Sequence, residues 1–300
     1  MKQFQDLLTR VMTDGTRQSN RTGVDTLFIA GDMMRFNLQD GFPVITTRRG
    51  MWKSSIGEMI GFMNGYDNAE EFRKLKCKFW DANANKNEAW LKNPARKGED
   101  DLGRVYGVQW RDWKGERSLM HGIAKPAYKT VDQFYNVIND ILNNPTSRRI
   151  LVSAWRPDEI SQMALPPCHV LFQFLCNVDK KELNMSMYIR SNDLFLGAPA
   201  NIIEYAFLLE AVAHATGYTA KDFTYFVSDA HIYLNHIEQV KIQCSREPFP
   251  LPKLKFNNPY PEVEKRDPKK VLEWLCDLQP DDFELEGYQH HPELTGEMAV

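Results

Sequence analysis

The sequence lacks any run of about 18 apolar residues, the length that a membrane-spanning helix requires. Its opening segment, MKQFQDLLTRVMTDG, is amphipathic and charged, unlike a basic stretch followed by an apolar signal core. Cysteine is scarce, with five residues and no CxxC or CxxH spacing, which argues against a disulfide framework and against a zinc site. We therefore predict a cytoplasmic protein with no membrane partner and no metal.

An excess of positive charge is also missing. The 37 basic and 40 acidic residues are intermixed, and the formal net charge is -3. Proteins that grip duplex nucleic acid present a broad basic surface, so no nucleic acid is expected as a required partner. Any phosphate that the chain binds is predicted to be a single small one, held locally.

The chain has enough apolar material for one large core, since 43% of its 300 residues are hydrophobic. No internal repeat, low-complexity tract or linker rich in Pro, Gly and Ser divides it. The polar stretch 84–101 lacks sustained periodicity and is predicted to be a surface insertion. We predict a single domain over 1–300 of the α/β (α+β) class, with a mixed, mainly buried sheet covered by helices.

Apolar residues at helical spacing predict two amphipathic helices, over 4–12 and over 134–142. Thr130 and Gln133 have the spacing of a capping box at the start of the second helix. The nearly continuous apolar segment 202–215 predicts a helix that is buried on most of its faces.

Four further segments have the pattern of strands. The segment 27–36 is strand-like but contains Gly31, which in a strand often marks a bend or bulge. Three short apolar runs predict adjacent strands of the sheet, over 150–155, 169–176 and 183–189.

Cys168 stands apart from the other cysteines because it follows two prolines in LPPCH, where the backbone is stiff. Free cysteines in apolar surroundings are usually small buried residues, and this interpretation is given to Cys77, Cys176, Cys244 and Cys276. A thiol beside a guanidinium, however, ionises more readily and reacts as a nucleophile. Candidate partners for Cys168 are Arg148, Arg149 and Arg190.

These arginines also suggest a phosphate site. Arg190 ends an apolar strand, where an unpaired charge would be costly to bury. When the charges alone are considered, Arg148 and Arg149 are as consistent with a solvent-exposed surface as with a functional site. The planar guanidinium grips phosphate through two parallel hydrogen bonds, so a cluster of arginines with a serine suits a phosphate dianion.

Longer motifs connect the chain to a known family. The chain resembles thymidylate synthases from end to end, through RTG at 21–23, RFNLQDGFPVITT, SRR at 147–149, MALPPCH, RSND at 190–193, Asn201-Ile202, DAHIYLNH at 229–236, SREPFPLPKL and the terminal Met-Ala-Val. The resemblance implies a folate-dependent transfer of one carbon to C5 of dUMP. Cys168 would add to C6 of the pyrimidine, and 5,10-methylenetetrahydrofolate would be the cosubstrate.

The resemblance also implies how the nucleotide is held. Arg21, Arg190 and Ser191 would bind its phosphate together with Arg148 and Arg149 of a partner subunit, in a homodimer formed through a face of the sheet. Asn201 would pair with the N3 and O4 edge of uracil, whereas the related dCMP hydroxymethylases have an aspartate at that position. The 3'-hydroxyl of the deoxyribose would be bound by His231 and Tyr233.

The remaining site residues follow from the same resemblance. Glu58, which alone could be an ordinary exposed helix carboxylate, would organise waters for proton transfers at O4 and C5. Tyr106 would help to remove the C5 proton, and His169 and Asp193 would support the thiol and the pterin. The residues implied for the folate pocket are Trp80, Asn83, Asp193, Leu196, Gly197, Ala200 and Val300.

The folate pocket departs from the usual family pattern. Ala200 stands where most thymidylate synthases have Phe, Gly61 where they have Trp, and Ser228 where they have Gly. Loss of an aromatic residue from the pocket wall could admit water, and water in place of hydride would give 5-hydroxymethyl-dUMP. A dUMP 5-hydroxymethylase therefore stays an alternative, although the terminal Met298-Ala299-Val300 favours methylation. A non-catalytic nucleotide- or RNA-binding homologue is a third reading, which would not need Cys168.

Overall fold

The computed structural model describes residues 1–20, 22–118 and 127–297. Within them the helices are α1 Lys2–Asp14, α2 Trp52–Asn64, α3 Ala69–Lys74, α4 Asp81–Asn85, α5 Glu88–Leu91, α6 Tyr106–Arg111, α7 Gln133–Asn143, α8 Gly197–Thr216, α9 Ile237–Ser245 and α10 Pro268–Asp277. The strands are β1 Thr16–Gln18, β2 Thr26–Asn37, β3 Trp113–Ser118, β4 Ala127–Val131, β5 Leu151–Ser153, β6 His169–Asn177, β7 Glu182–Asp193, β8 Thr219–Tyr233, β9 Lys253–Phe256 and β10 Phe283–Glu286. No helix in these ranges is long and apolar enough to cross a membrane.

The main sheet has the strand order β1-β2-β8-β7-β6-β5. The pair β7–β8 is parallel and the other neighbours are antiparallel. Helix α8 forms the crossover between the two parallel strands, as a parallel pair requires. It packs against both of them and against α2, while α1 packs on β2 and β8. The predicted mixed sheet covered by helices is confirmed.

Helix α8 is the central helix of the core, as its apolar sequence predicts. It is five residues longer at its start than the predicted segment 202–215, because Gly197 to Asn201 already have helical conformation. Almost every residue from Ile202 to Leu209 is buried, on all sides of the helix. Gly217 ends it with φ of 80°, a left-handed conformation that glycine adopts without cost.

The predicted capping box of α7 is wrong. Thr130 belongs to strand β4, and the helix begins at Gln133 with Asp132 as its N-cap. The Asp132 side chain accepts the backbone N–H of Tyr135 at 2.8 Å, which satisfies one of the free donors of the first turn. Gln133 instead bonds to the backbone of Ser153 through both ends of its amide, at 2.9 and 3.0 Å, and so ties α7 to β5.

The strand predictions hold with two adjustments. Strand β2 does bend at Gly31, which has φ of 78°. Its register against β8 is the same on both sides, since Ala30 pairs with Asp229 and Asp32 with Val227, so no residue is inserted. The three apolar runs do form the adjacent strands β5, β6 and β7, but β5 ends at Ser153 and covers only half of 150–155.

One face of the sheet carries exposed apolar side chains. Met33 of β2 pairs with Phe226 of β8, which pairs with Tyr188 of β7, so the three lie in one row across the sheet. Their exposed fractions are 52%, 41% and 37%. Large exposed apolar patches mark interaction surfaces. We call this row the apolar sheet face.

The segment 84–101 is anchored to the core by Trp90. Most of its residues are exposed or half-buried, but Trp90 of α5 is 2% exposed. Its indole Nε1 donates to the carbonyl of Asp101 at 2.6 Å. The Asn87 side chain caps α5 by accepting the backbone N–H of Trp90. The segment lacks periodicity because its two helices, α4 and α5, are each too short to show any.

The glycine at position 61 is explained by a neighbouring ring. A side chain on Gly61 would collide with the ring of Phe72, which lies against the helix backbone at that point. Phe72 is fully buried and makes edge contacts with the ring of Phe62 at a centroid distance of 5.7 Å. Phe72 therefore fills the space beside Gly61, and no cavity opens there.

Candidate active site

The sheet topology gathers the predicted site at one end of its central strands. Because β7 and β8 are parallel, their final residues meet, with Ser191 opposite Asp229 and Asp193 opposite His231. Strand β6 is antiparallel to β7, so its first residue, His169, lies next to the end of β7. Cys168 immediately precedes β6. Polar side chains at the ends of three strands therefore converge on one cleft.

Cys168 and Arg190 are in contact in this cleft. The Arg190 guanidinium lies 3.7 Å from the Cys168 sulfur, measured from Nη2 to Sγ. The same guanidinium donates to the carbonyls of Pro167 at 2.9 Å and Pro166 at 3.0 Å, and the backbone N–H of Arg190 donates to the Cys168 carbonyl at 2.9 Å. The two prolines thus present the acceptors that fix the arginine. A guanidinium held in this position favours the anionic form of the thiol.

Tyr106 supports the cysteine from the opposite side. Its hydroxyl accepts the backbone N–H of Cys168 at 2.7 Å. The ring is 3% exposed and stacks on Phe62 at a centroid distance of 4.9 Å. Burial, followed by the nearby Cys168, raises the pKa of Tyr106 well above its usual value, so the hydroxyl stays protonated and can donate into the cleft. The residue starts α6 with φ of 22°, a conformation that side chains rarely adopt.

Glu58 reaches the cleft from the middle of α2 and is only 8% exposed. Burial raises its pKa to about 7, and the neighbouring side chains of Glu204 and Trp80 oppose that rise. It is therefore not the exposed helix carboxylate that an isolated glutamate usually is. A carboxyl group that titrates near neutral pH can both accept and release a proton under ordinary conditions.

Asn201 lies in the first turns of α8 and is held by hydrogen bonds at both ends of its amide. Its Oδ1 accepts from Asn192 Nδ2 at 2.8 Å, and its Nδ2 donates to Glu204 Oε2 at 3.5 Å. Asn192 is fixed in turn by the Tyr225 hydroxyl, which donates to its Oδ1 at 2.5 Å. This chain of contacts sets which face of the Asn201 amide donates and which accepts.

His169 is neutral in this surrounding. Its ring is 6% exposed and makes an edge contact with Tyr106 at a centroid distance of 5.1 Å. Burial lowers the pKa of His169 to about 3, and a hydrogen bond with Asn201 only partly opposes this. It therefore supplies no positive charge to the carboxyl groups nearby.

The ends of β7 and β8 complete the cleft. Asp193 Oδ1 accepts the backbone N–H groups of Phe195 at 2.9 Å and Leu196 at 3.2 Å, which shapes the turn into α8. His231 Nδ1 lies 3.1 Å from Asp229 Oδ1. The rings of His231 and Tyr233 meet edge to face at 5.3 Å. These groups offer several hydrogen-bonding positions on the side of the cleft opposite α2.

The cleft has a volume of about 580 Å³, within the usual size of small-molecule sites. It brings together most of the predicted site residues, namely Glu58, Trp80, Asn83, Tyr106, Cys168, His169, Arg190, Ser191, Asp193, Leu196, Gly197, Ala200, Asn201, His231 and Tyr233. Arg148 and Arg149 do not line it and are exposed elsewhere on the chain. Arg21 and Val300 lie outside the described residues, as do Met298 and Ala299.

Several residues that line the cleft were not predicted as site residues, among them Phe62, Phe79, Asn192 and Asp229. Asn192 stands inside the RSND motif, but its side chain points to Asn201, and only the folded geometry shows that. Glu204, behind the cleft wall, was also missed. Its signal was its position as one of two acidic residues, with Glu210, inside the apolar segment 202–215, where an ionisable residue needs a partner.

A cysteine thiol beside a fixed guanidinium, in one cleft with an oriented amide and a carboxyl group of pKa about 7, is an arrangement typical of enzymes that attack their substrate covalently. Among the described residues, His, Cys, Asp and Glu side chains form no group of three that could hold a metal ion. The family model described as thymidylate synthase matches residues 2–300, and the chain belongs to the thymidylate synthase family. It is an enzyme of one-carbon transfer.

Relatives of known name agree with this assignment over their full length. The chain is 48% identical to the thymidylate synthase of Pseudomonas syringae pv. tomato and 46% identical to that of Pseudomonas putida, with all of each chain aligned. It is 41% identical to the thymidylate synthase of Homo sapiens, over 99% of this chain and 90% of the human protein.

The burial of Glu58 predicts a pH-dependent stability. The folded chain holds the Glu58 proton up to about pH 7, whereas the unfolded chain releases it near the ordinary value of 4.5. The wild-type free energy of unfolding should therefore fall as the pH rises between these values. At about pH 8, Glu58→Gln should be about 1–3 kcal/mol more stable than wild type, and at about pH 4 the two should be equal. Urea unfolding across this range measures the difference.

The matched control is Glu88→Gln, because the Glu88 side chain is 85% exposed. It should leave the pH dependence of the wild type unchanged. A Glu58→Gln variant with the same pH dependence as wild type would show that Glu58 ionises normally in the folded protein.

Proposed function

We propose that the chain transfers one carbon from 5,10-methylenetetrahydrofolate to C5 of dUMP and produces dTMP. The observation that carries the proposal is the contact of 3.7 Å between Arg190 and the Cys168 sulfur, in the same cleft as the oriented amide of Asn201. A sulfur anion and a base-reading amide in one cleft suit covalent attack on a pyrimidine.

In the proposed reaction the Cys168 sulfur forms a bond to C6 of the uracil ring. The electron pair of the C5–C6 double bond moves toward C5 and O4, so C5 becomes nucleophilic and would bond to the methylene carbon of the folate. The C5 proton would then leave to a base, the bond from that carbon to the folate nitrogen would break, and the C6–S bond would break as the hydride arrives, which frees Cys168. Asn201 Nδ2 would donate to O4 and its Oδ1 would accept from N3–H, which selects uracil over cytosine. Glu58 would exchange protons with O4 and C5 through water, and Tyr106 would assist removal of the C5 proton.

The rest of the nucleotide would lie along the ends of β7 and β8. Arg190 and Ser191 face the cleft and would hold the phosphate, since guanidinium and hydroxyl groups both donate to phosphate oxygens. Arg21 is assigned to the same clamp from its sequence motif. His231 and Tyr233 would bind the 3'-hydroxyl of the sugar, and the contact of His231 with Asp229 holds its ring in place.

The other half of the cleft fits a folate. Phe79, Trp80, Leu196 and Ala200 provide an apolar wall for a flat ring, and the Asp193 carboxylate and Asn83 add polar contacts beside it. Gly197 borders the same part of the cleft, and Val300 is assigned to the folate from the family resemblance alone. The folate supplies the carbon unit and the hydride that reduces it to a methyl group.

The names of the relatives favour methylation over hydroxymethylation as the final step, because they are thymidylate synthases. Phe72 fills the space beside Gly61, which is one of the positions where the chain departs from the usual family pattern. Ala200 does border the cleft, so one departure from the usual pocket is present. The non-catalytic alternative is disfavoured by the fixed contact between Arg190 and Cys168, which serves no purpose in binding alone.

We also propose that the active protein is a homodimer formed through the apolar sheet face. Its three side chains expose apolar surface that a partner would cover. Arg148 and Arg149 are exposed and outside the cleft of their own chain. In a symmetric dimer each pair would reach the phosphate site of the partner. The cytoplasmic location stays a prediction.

Replacement of the nucleophile tests the reaction. Cys168→Ser should still bind dUMP, because the phosphate and base contacts remain, but its turnover should fall by about a thousandfold or more.

Wild type supplied with dUMP and methylenetetrahydrofolate should form dTMP, identified by mass, and dihydrofolate, identified by absorbance. A hydroxymethyl product with tetrahydrofolate would support the alternative reaction, and retained turnover of Cys168→Ser would refute the mechanism.

Subunit mixing tests the crossed arginines. Cys168→Ser and the double variant Arg148→Ala/Arg149→Ala should each be inactive alone. If the arginines cross, a mixed dimer has one intact site, formed by the Cys168 of one subunit and the arginines of the other. Random mixing in equal amounts should then restore about a quarter of the wild-type activity.

A control for the subunit-mixing experiment shows whether the subunits associate through the apolar sheet face or through another surface. Phe226→Asp, added to both partners, should abolish the regained activity because it places a charge in the apolar sheet face. Ile242→Asp, on an equally exposed apolar residue of α9, should leave it intact. No regain of activity in the original mixture would show that the arginines do not cross.

A further inference from the structure

A second buried carboxyl group lies directly behind Glu58. Glu204 is on α8, one turn after Asn201, and it is 0% exposed. It does not line the cleft itself. Its carboxyl group is in hydrogen-bonding contact with Glu58 of α2, and its Oε2 accepts from Asn201 Nδ2 at 3.5 Å. Glu204 thus touches both residues to which the mechanism gives roles at the pyrimidine ring.

In the part of the chain that the structure describes, no Lys or Arg side chain forms an ion pair with Glu204. The basic side chain beside it is His169, with Nδ1 at 4.0 Å from Oε2, and burial keeps that ring neutral. Among the described residues, no donor reaches the second carboxyl oxygen, Oε1. Two carboxylates cannot hydrogen-bond to each other unless one of them carries a proton. The other titratable groups that face the pair are Cys77, Tyr106, Tyr205 and Tyr225, none of them cationic.

We propose that Glu204 is a positioning residue that stays protonated, donates its O–H to the Glu58 carboxylate, and accepts the N–H of Asn201. In this arrangement Glu204 links two groups. One is the Glu58 carboxylate, which transfers protons, and the other is the Asn201 amide, which recognises the base. The hydrogen bond stabilises the ionised form of Glu58, and the acceptor oxygen fixes the orientation of Asn201. The inference rests on the proposed function for its kinetic consequences, but the protonation state does not depend on it.

The direction of the pKa shifts agrees with the geometry. Burial, and then the neighbouring Glu58, raises the pKa of Glu204 well above its usual value. The hydrogen bond from Glu204 acts in the opposite direction on Glu58 and lowers its pKa. Of the two carboxyl groups, Glu58 is therefore the one that ionises near neutral pH and Glu204 the one that keeps its proton.

Infrared difference spectroscopy tests the protonation state without any substrate. At about pH 8.5, above the pKa of Glu58, the spectrum of wild type minus Glu204→Gln should show the carbonyl stretch of a protonated carboxylic acid. The subtraction removes Glu210, another buried carboxyl group, which is present in both proteins. A carboxylate band in place of the acid band would overturn the proposal, whether or not the protein acts on dUMP.

Kinetics test the bridging role. Glu204→Leu removes both hydrogen bonds, so kcat should fall about ten- to hundredfold. The acidic limb of the pH profile should also move to higher pH, because Glu58 loses its donor. Glu204→Gln keeps one donor and one acceptor in nearly the same shape. It should therefore retain most of the wild-type kcat, and the acidic limb of its pH profile should stay at the wild-type position.

A Glu204→Gln variant as inactive as Glu204→Leu would overturn the bridging role, since it would mean that the Glu204 proton itself is transferred. An unshifted acidic limb in Glu204→Leu would also contradict it. If Glu204→Leu does not fold, the pH profile and infrared spectrum of Glu204→Gln still decide. Failure of Cys168→Ser to lose turnover would refute the proposed reaction and leave the infrared result unaffected.

Discussion

The guanidinium of Arg190 is held against the sulfur of Cys168 by backbone groups on both sides of the contact. Two proline carbonyls accept from its side chain, and its own backbone N–H pairs with the Cys168 carbonyl. The acceptors that fix the arginine are thus neutral carbonyl groups, which do not cancel its positive charge beside the sulfur. The rest of the site is arranged around this contact.

Burial decides the protonation states around the sulfur. On the α2 and α8 side, loss of contact with water is the largest effect on each titratable group, and it outweighs the individual hydrogen bonds. Glu58 is thereby brought to a pKa of about 7, Tyr106 keeps its proton, and His169 stays neutral. The side of the cleft formed by the ends of β7 and β8 is more polar. One half of the site thus suits proton transfer and the other suits recognition of an anion.

The sequence could predict four of the six strands of the main sheet, namely β2, β5, β6 and β7, together with the buried helix α8 and most of the cleft residues, because each is marked by a local apolar pattern or by a motif. The start of α7 was mispredicted because Thr130 and Asp132 are both good capping residues. In the fold Thr130 belongs to strand β4, and Asp132 is the N-cap. The helices in 84–101 were missed because they are too short for periodicity. The reason for glycine at position 61 could not be predicted, because only the fold places Phe72, distant by 11 positions, against it. Contacts between separate elements, such as Glu58 with Glu204, could not be predicted from local pattern.

Isolation of the covalent intermediate tests the central claim most directly. A dUMP analogue with fluorine in place of the C5 hydrogen cannot release that atom as a proton, so its adduct should persist in the presence of methylenetetrahydrofolate. Digestion and peptide mass spectrometry should then find the nucleotide attached to the peptide that contains Cys168, and Arg190→Ala should reduce its yield strongly. An adduct on another residue, or none with active enzyme, would contradict the account.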